Sequence, residues 1–311
     1  MSAPVRERVA GAPITWGVCE VPGWGHQMAP ERVLAEMRSL GLVATEVGPE
    51  GFLPVEPSAV RSVLAEVGMR PVAAFVPAVL HEPDLVDEEL ARLRGRISDL
   101  ASTGATVLVL AVSIGREGYE GSGEIDVQGW RTLGRALDRV VEMAEEEGVL
   151  AAVHPHHGTA VERSQEVDRV LELSRVSLCL DTGHLVVGGA DPSSIAARVG
   201  DRVGHVHLKD VAADVAARVR TGALGYRDAV AGGMFRRLGE GDANIADTVR
   251  ILEGGGYTGW HVLEQDAVLP GEPEAGVGPV EDARASLAFL DRLWEEIASD
   301  GDLRSAVQGR A

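Results

Sequence analysis

Eight short, apolar, β-branched runs alternate with eight longer amphipathic segments along this chain of 311 residues, and that order limits the fold more than any other feature. The runs predicted as strands are Pro13–Val18, Val43–Gly48, Pro71–Val76, Thr106–Val112, Leu150–His154, Val176–Asp181, Val203–Lys209 and His261–Glu264. Helices are predicted at about Pro30–Leu40, Pro57–Val67, Asp84–Ser102, Val127–Glu147, Ser164–Ser174, Pro192–Val199, Ile245–Glu253 and Val280–Ile297. Gly41, Gly68, Gly104, Gly148 and the run Gly254–Gly256 each follow a helical pattern and precede a strand. Glycine suits that place because it takes a positive φ without steric cost. Eight such units with no break in composition predict an α/β protein, a single (β/α)8 barrel domain of TIM type over residues 1–311. An open doubly wound sheet would carry a Gly-rich dinucleotide loop after its first strand, and CEVPGWGHQM lacks that pattern. The longest irregular segment, about 211–243, is expected to be a loop insertion over the barrel mouth. The polar tail from about 300 is expected to fray.

Hydrophobic residues make up 45% of the chain, ample for a buried core. The two cysteines, Cys19 and Cys179, are far apart, which excludes a disulfide framework and fits a reducing cytoplasm. No stretch reaches the roughly 18 apolar residues of a membrane span. The opening MSAPVRERVAGAP lacks the apolar core of a signal peptide, so a cytoplasmic protein with no membrane partner is expected. A formal charge of −19 repels phosphate backbones, which argues against nucleic-acid binding. It also disfavours free anionic substrates unless a local basic pocket receives them, and a neutral polyol is easier to accommodate. Barrels of this kind often pair, so a homodimer or higher homo-oligomer is the expected assembly.

All nine histidines lie in or just after a predicted strand: His26, His81, His154, His156, His157, His184, His205, His207 and His261. Barrel sites are built from strand ends and the loops after them, so the histidines mark that face. Strand five ends in VHPHHGT with His154 and His156, and strand six in CLDTGH with Asp181 and His184. Strand seven reads HVHLKD with His205, His207, Lys209 and Asp210, and strand eight ends in GWHVLEQD with Glu264. Imidazoles and carboxylates delivered to one mouth suit a divalent cation such as Mn²⁺, Co²⁺, Fe²⁺, Mg²⁺ or Zn²⁺. Strand alternation gives a check: inward His207 brings His205 and Lys209, Asp181 brings Cys179 and Ser177, His154 brings Ala152, and Glu46 brings Ala44. Plainer readings stand beside these. His205 and His261 are read as hydrogen-bonded core histidines. Asp181 is otherwise a turn cap, Glu264 a partner of Lys209, and Glu46 a structural carboxylate.

Taken together, APITWG, ATEVGPEGFLP, VHPHHGT, LCLDTGH, HVHLKDV, RRLGEGD and GWHVLEQD resemble the inosose dehydratase family, a branch of the xylose isomerase-like sugar isomerase/epimerase superfamily. The likeness runs from about Ala12 to Leu290. DTGH and HVHLKD point to the superfamily, and HPHHGT with APITWG and TEVG narrows it to the branch. The resemblance implies a metal held by Glu, Asp, His and Glu from strands five to eight. Asp181, His207 and Glu264 match three of those places. His154 stands where sugar epimerases have a glutamate, and Glu162, eight residues on, is the alternative fourth ligand. Mn²⁺ or Co²⁺ is the expected ion, with Mg²⁺, Fe²⁺ or Zn²⁺ as alternatives. His184, Lys209 and Glu46 match positions implied to touch substrate, and Trp16, Trp24 and Phe235 are candidate walls.

Inosose dehydratases expel water from the carbon β to the ketone of 2-keto-myo-inositol, which needs an electrophile at the ketone, a base and an acid. The resemblance therefore implies metal-dependent dehydration of that compound or a related keto-polyol. Glu264 or a nearby histidine is the expected base. His156 or Lys209 is the expected acid, with the lysine pKa lowered by a nearby metal. Reprotonation of the same enolate would make the enzyme an isomerase or epimerase, and elimination from a 3-keto-glycoside is a third outcome. A metal-dependent DNA-repair endonuclease on this fold would need several metals and a basic face. A sugar-binding barrel without catalysis would bind with no metal-dependent turnover.

Overall fold

The computed structural model describes residues 5–115 and 125–308. Eight barrel strands are present: β1 (Val9–Gly11), β2 (Ala44–Thr45), β3 (two pieces, Arg70–Pro71 and Ala73–Ala78), β4 (Val107–Val112), β5 (Leu150–Val153), β6 (Ser177–Asp181), β7 (Val203–Leu208) and β8 (His261–Leu263). Neighbours pair in parallel in the order β3, β2, β1, β8, β7, β6, β5, β4 and back to β3. Val72, between the two pieces of β3, joins the ends. Its N–H donates to the Thr45 carbonyl at 3.0 Å and its carbonyl accepts the Thr106 N–H at 3.0 Å. The sheet is therefore closed and leaves no edge open.

Eleven α-helices are assigned among the described residues: α1 (Pro30–Ser39), α2 (Pro57–Glu66), α3 (Val86–Thr103), α4 (Val127–Glu146), α5 (Ser164–Leu173), α6 (Thr182–Val187), α7 (Pro192–Val199), α8 (Ala213–Arg220), α9 (Tyr226–Ala231), α10 (Ile245–Gly254) and α11 (Pro279–Gln308). Strand alternation sorts the core into two. Ala10, Ala44, Ala152, Cys179 and Val262 fill the barrel interior, while Leu108, Leu178, Leu180, Val206 and Leu208 pack outward with Leu93, Ile97 and Leu137 of the helices. Each leucine buried in this way contributes about 2 kcal/mol. Small residues inside leave room for charged side chains at the C-terminal strand ends. No helix among the described residues is long and apolar enough to cross a membrane.

Two sequence-based expectations need correction. The first strand is Val9–Gly11, not Pro13–Val18, because Val9–Gly11 pairs with His261–Leu263. Pro13, which has no N–H to give a ladder, instead starts a 3₁₀ turn over Pro13–Trp16. The last helix is assigned from Pro279 to Gln308. The excursion at 211–243 is built rather than irregular. Asp210–Val211 pairs antiparallel with Phe235–Arg236, with α8 and α9 between them. The buried Asp210 carboxylate accepts the N–H groups of Gly239 at 2.8 Å and of Val211, Gly241 and Ala243 at 3.0 Å each. A Cβ on residue 241 would stand 2.4 Å from Asp210 Oδ1, which is why the RRLGEGD segment has glycine there.

Candidate active site

Asp181 ends β6 and caps α6, and it divides its two oxygens between these tasks. Oδ1 accepts the His184 backbone N–H at 2.8 Å. Oδ2 faces inward, 3.2 Å from His154 Nε2 and 3.5 Å from both His207 Nδ1 and Lys209 Nζ. The cap and the ligand position are thus compatible uses of one carboxylate.

Glu46, following β2, sets the ring of His207. Its Oε1 accepts from Nε2 of both His205 and His207 at 2.9 Å each. A carboxylate acceptor places the His207 proton on Nε2 and turns Nδ1 toward the other wall. There Nδ1 lies 2.8 Å from Glu264 Oε2 but outside hydrogen-bond geometry with it. One atom each from Asp181, His207 and Glu264 falls within 4.8 Å of the others, all three residues being buried. A buried imidazole nitrogen left unbonded between two carboxylates, with hard and borderline donors only, fits a divalent cation. His154 adjoins this group from β5. Glu162 does not: its Oε1 is bonded to His157 Nδ1 at 2.8 Å. Of the two candidate fourth ligands, His154 is the one standing at the site.

Electrostatics agree with a cation sink. Burial disfavours charge on His207, but the Glu264 and Glu46 carboxylates beside it outweigh that and hold the imidazole well above the usual histidine range. Burial likewise opposes ionisation of Glu264, yet His207 and Lys209 bring its pKa down to about 2. Lys209 sits among acids in the metal-free site. Burial pulls its pKa down, but Asp181, Asp266 and Glu264 raise it well above the ordinary value, so the amine stays charged. Its Nζ donates to Glu264 Oε1 at 2.8 Å and Asp266 Oδ1 at 2.6 Å, and lies 3.1 Å from His184 Nε2. The lysine stem passes where a Cβ on Gly183 would stand, 2.6 Å from Lys209 Cγ, so the glycine of DTGH makes room for it.

Above this floor opens a cavity of about 500 Å³, whose lining includes Glu46, His154, His156, His207 and Glu264. That size is ordinary for a small-molecule site. Four residues expected at substrate are not in its lining. Trp16 is sealed in the core with its indole N–H on Glu36 Oε2 at 2.8 Å. Phe235 lies behind Lys209, whose Nζ is 5.0 Å from the ring centre. Lys209 and His184 are themselves fully enclosed behind the carboxylates and His156. Trp24 does line the cavity. Sequence reasoning missed Phe75, Asp266 and Tyr226, which also line it. Asp266 carried a signal, since it closes the GWHVLEQD motif two residues after Glu264. Phe75, edge-on to the His154 ring at 5.8 Å, and Tyr226, on α9, carried none.

Glu46→Gln is expected to keep the fold but weaken divalent-metal affinity about 10- to 100-fold, because the ligand ring loses its carboxylate partner. Calorimetric titration of the metal-free protein measures this, and an unchanged affinity would mean that Glu46 does not orient His207.

A family model described as xylose isomerase-like TIM barrel matches residues 34–293. An inosose dehydratase of Geobacillus kaustophilus (strain HTA426) is 32% identical over 297 residues, covering 92% of this chain and 94% of the relative. The rhizopine catabolism protein MocC of Rhizobium meliloti is 35% identical over 269 residues, covering 83% and 81%. Among solved structures, an L-ribulose 3-epimerase superposes with a TM-score of 0.70 at 17% identity, covering 96% of this chain and 98% of its own. At that identity the likeness bears on the fold alone.

Proposed function

The chain belongs to the xylose isomerase-like TIM barrel family as an inosose dehydratase-like enzyme, a lyase, and from that premise we propose that it eliminates water from 2-keto-myo-inositol or a closely related keto-polyol with the help of a divalent metal. The observation that carries the metal part is the convergence of Asp181, His207 Nδ1 and Glu264 at the cavity floor, with His154 beside them. These residues would hold the ion, with Mn²⁺ or Co²⁺ the first candidates. When bound, it would stabilise the negative charge that gathers on the ketone oxygen as the α carbon–hydrogen bond breaks.

The chain's own groups divide the remaining work. His156 lines the cavity, and its Nδ1 lies 2.7 Å from the His157 carbonyl. A carbonyl only accepts, so Nδ1 carries the hydrogen and Nε2 is the basic nitrogen. Burial, with the charges of His154 and Lys209, holds this imidazole well below its ordinary pKa, so it stays neutral. With Nε2 unprotonated and His156 lining the cavity, His156 is the base of this scheme: it takes the α proton and, as imidazolium, returns it to the hydroxyl on the β carbon. That hydroxyl leaves as water while the electron pair of the carbon–hydrogen bond becomes the new double bond. Lys209 touches no substrate in this scheme. Its charge holds Glu264 and Asp266 in place.

Metal-loaded protein incubated with 2-keto-myo-inositol should yield a product lighter by one water in the mass spectrum, with turnover lost on chelation. Solvent deuterium entering the substrate without water loss would replace dehydration by epimerisation. Bound substrate with neither signal would overturn the proposal.

A further inference from the structure

Tyr226 is the first residue of α9, in the excursion between β7 and α10, and it is buried against the site rather than turned to solvent. Its ring stacks on His157 with centroids 4.9 Å apart and planes at 28°. The next residue, Arg227, donates to the Gly23 and Trp24 carbonyls at 3.2 and 3.1 Å, which ties the excursion to the loop after β1. The tyrosine hydroxyl donates to Asp266 Oδ2 at 2.8 Å. The other oxygen of Asp266 accepts from Lys209 Nζ at 2.6 Å, and Lys209 donates in turn to Glu264 Oε1 at 2.8 Å. All four side chains are buried.

From this continuous chain we infer that Tyr226 is a positioning residue for the reaction, fixing Glu264 through Asp266 and Lys209 and so linking the seating of the cover to the carboxylate at the cavity floor. The physical reason is competition for one cation. Lys209 is shared between Asp266 and Glu264, and the share each takes depends on what else neutralises Asp266. With the tyrosine O–H on Oδ2, part of the Asp266 charge is already satisfied. Without it, Asp266 draws Lys209 toward itself and Glu264 loses its second partner. Tyr226 thereby couples the excursion, through Asp266 and Lys209, to Glu264 at the reacting centre. The kinetic part of this inference rests on the dehydratase reading; the coupling itself does not.

Tyr226→Phe keeps the ring stacking and removes only the hydroxyl. In the metal-loaded full-length enzyme it should lower kcat on 2-keto-myo-inositol about 10- to 100-fold with KM changed less than about threefold, the loss of one charge-assisted hydrogen bond being felt in the chemical step. Asp266→Asn should show a similar fall, and the double variant should be no slower than the worse single one, since both act through one path. Independently of any substrate, the ¹⁵Nζ resonance of Lys209, assigned with a Lys209→Met control, should move in Tyr226→Phe while the thermal midpoint stays within a few degrees. An unmoved Lys209 resonance, or effects of Tyr226→Phe and Asp266→Asn that add, would overturn the inference. If the wild type does not turn over inosose, the dehydratase reading fails, and the resonance still decides the coupling.

Discussion

Asp181→Asn is expected to leave a folded protein that no longer holds a divalent ion and turns over at least about a thousandfold more slowly, since a carboxylate ligand supporting metal catalysis is worth several kcal/mol. The two oxygens of Asp181 do different things, and the asparagine separates them. Its amide oxygen can still accept the His184 N–H that caps α6, now at 2.8 Å. What it cannot supply is the negative charge of Oδ2 beside His154, His207 and Lys209. In the native protein burial opposes that charge, and Lys209 with the neighbouring imidazoles outweighs it, holding the carboxyl well below the usual range. Metal content after dialysis, circular dichroism and turnover together measure the result. A variant that keeps full activity would show that the ion site lies elsewhere. His207→Ala should lose metal and turnover in the same way.

Asp210→Ala is expected to cost about 3 kcal/mol or more of stability, because each buried donor left without an acceptor costs about 1–3 kcal/mol. Four backbone N–H groups, those of Val211, Gly239, Gly241 and Ala243, converge on its carboxylate. Partial entry of water limits the penalty below the sum of four. Asp210→Asn retains one acceptor oxygen and should fall between the two proteins. Chemical denaturation midpoints measure both. Activity should fall as well, since the ladder that Asp210 anchors carries Phe235, which backs the Lys209 amine. A midpoint within error of wild type would show that water can replace the carboxylate fully.

The barrel strands show what sequence patterns reveal and what they conceal. Period-two alternation placed Ala44, Ala152 and Cys179 inside the barrel with Glu46, His154 and Asp181, because a strand has only two faces and the bulky aliphatics claim the outer one. Alternation says nothing about a residue brought in by a short helix of the excursion, so Tyr226 gave no sign in the sequence. Nor does it give depth. Lys209 shares a face with His207, yet its stem runs back past Gly183 and its amine is enclosed by acids. Trp16 failed for a different reason: the displaced first strand turns its indole into the core, toward Glu36.

The floor of the cavity is one connected column of paired groups, from His205 through Glu46, His207, Glu264 and Lys209 to Asp266 and Tyr226. A change to any member disturbs its neighbours on both sides. The rim side chains Phe75, Trp24 and Pro49 line the same space outside that column. Diversification of such a barrel toward new polyols would therefore be written into the replaceable rim, with the reacting base plate passed on intact.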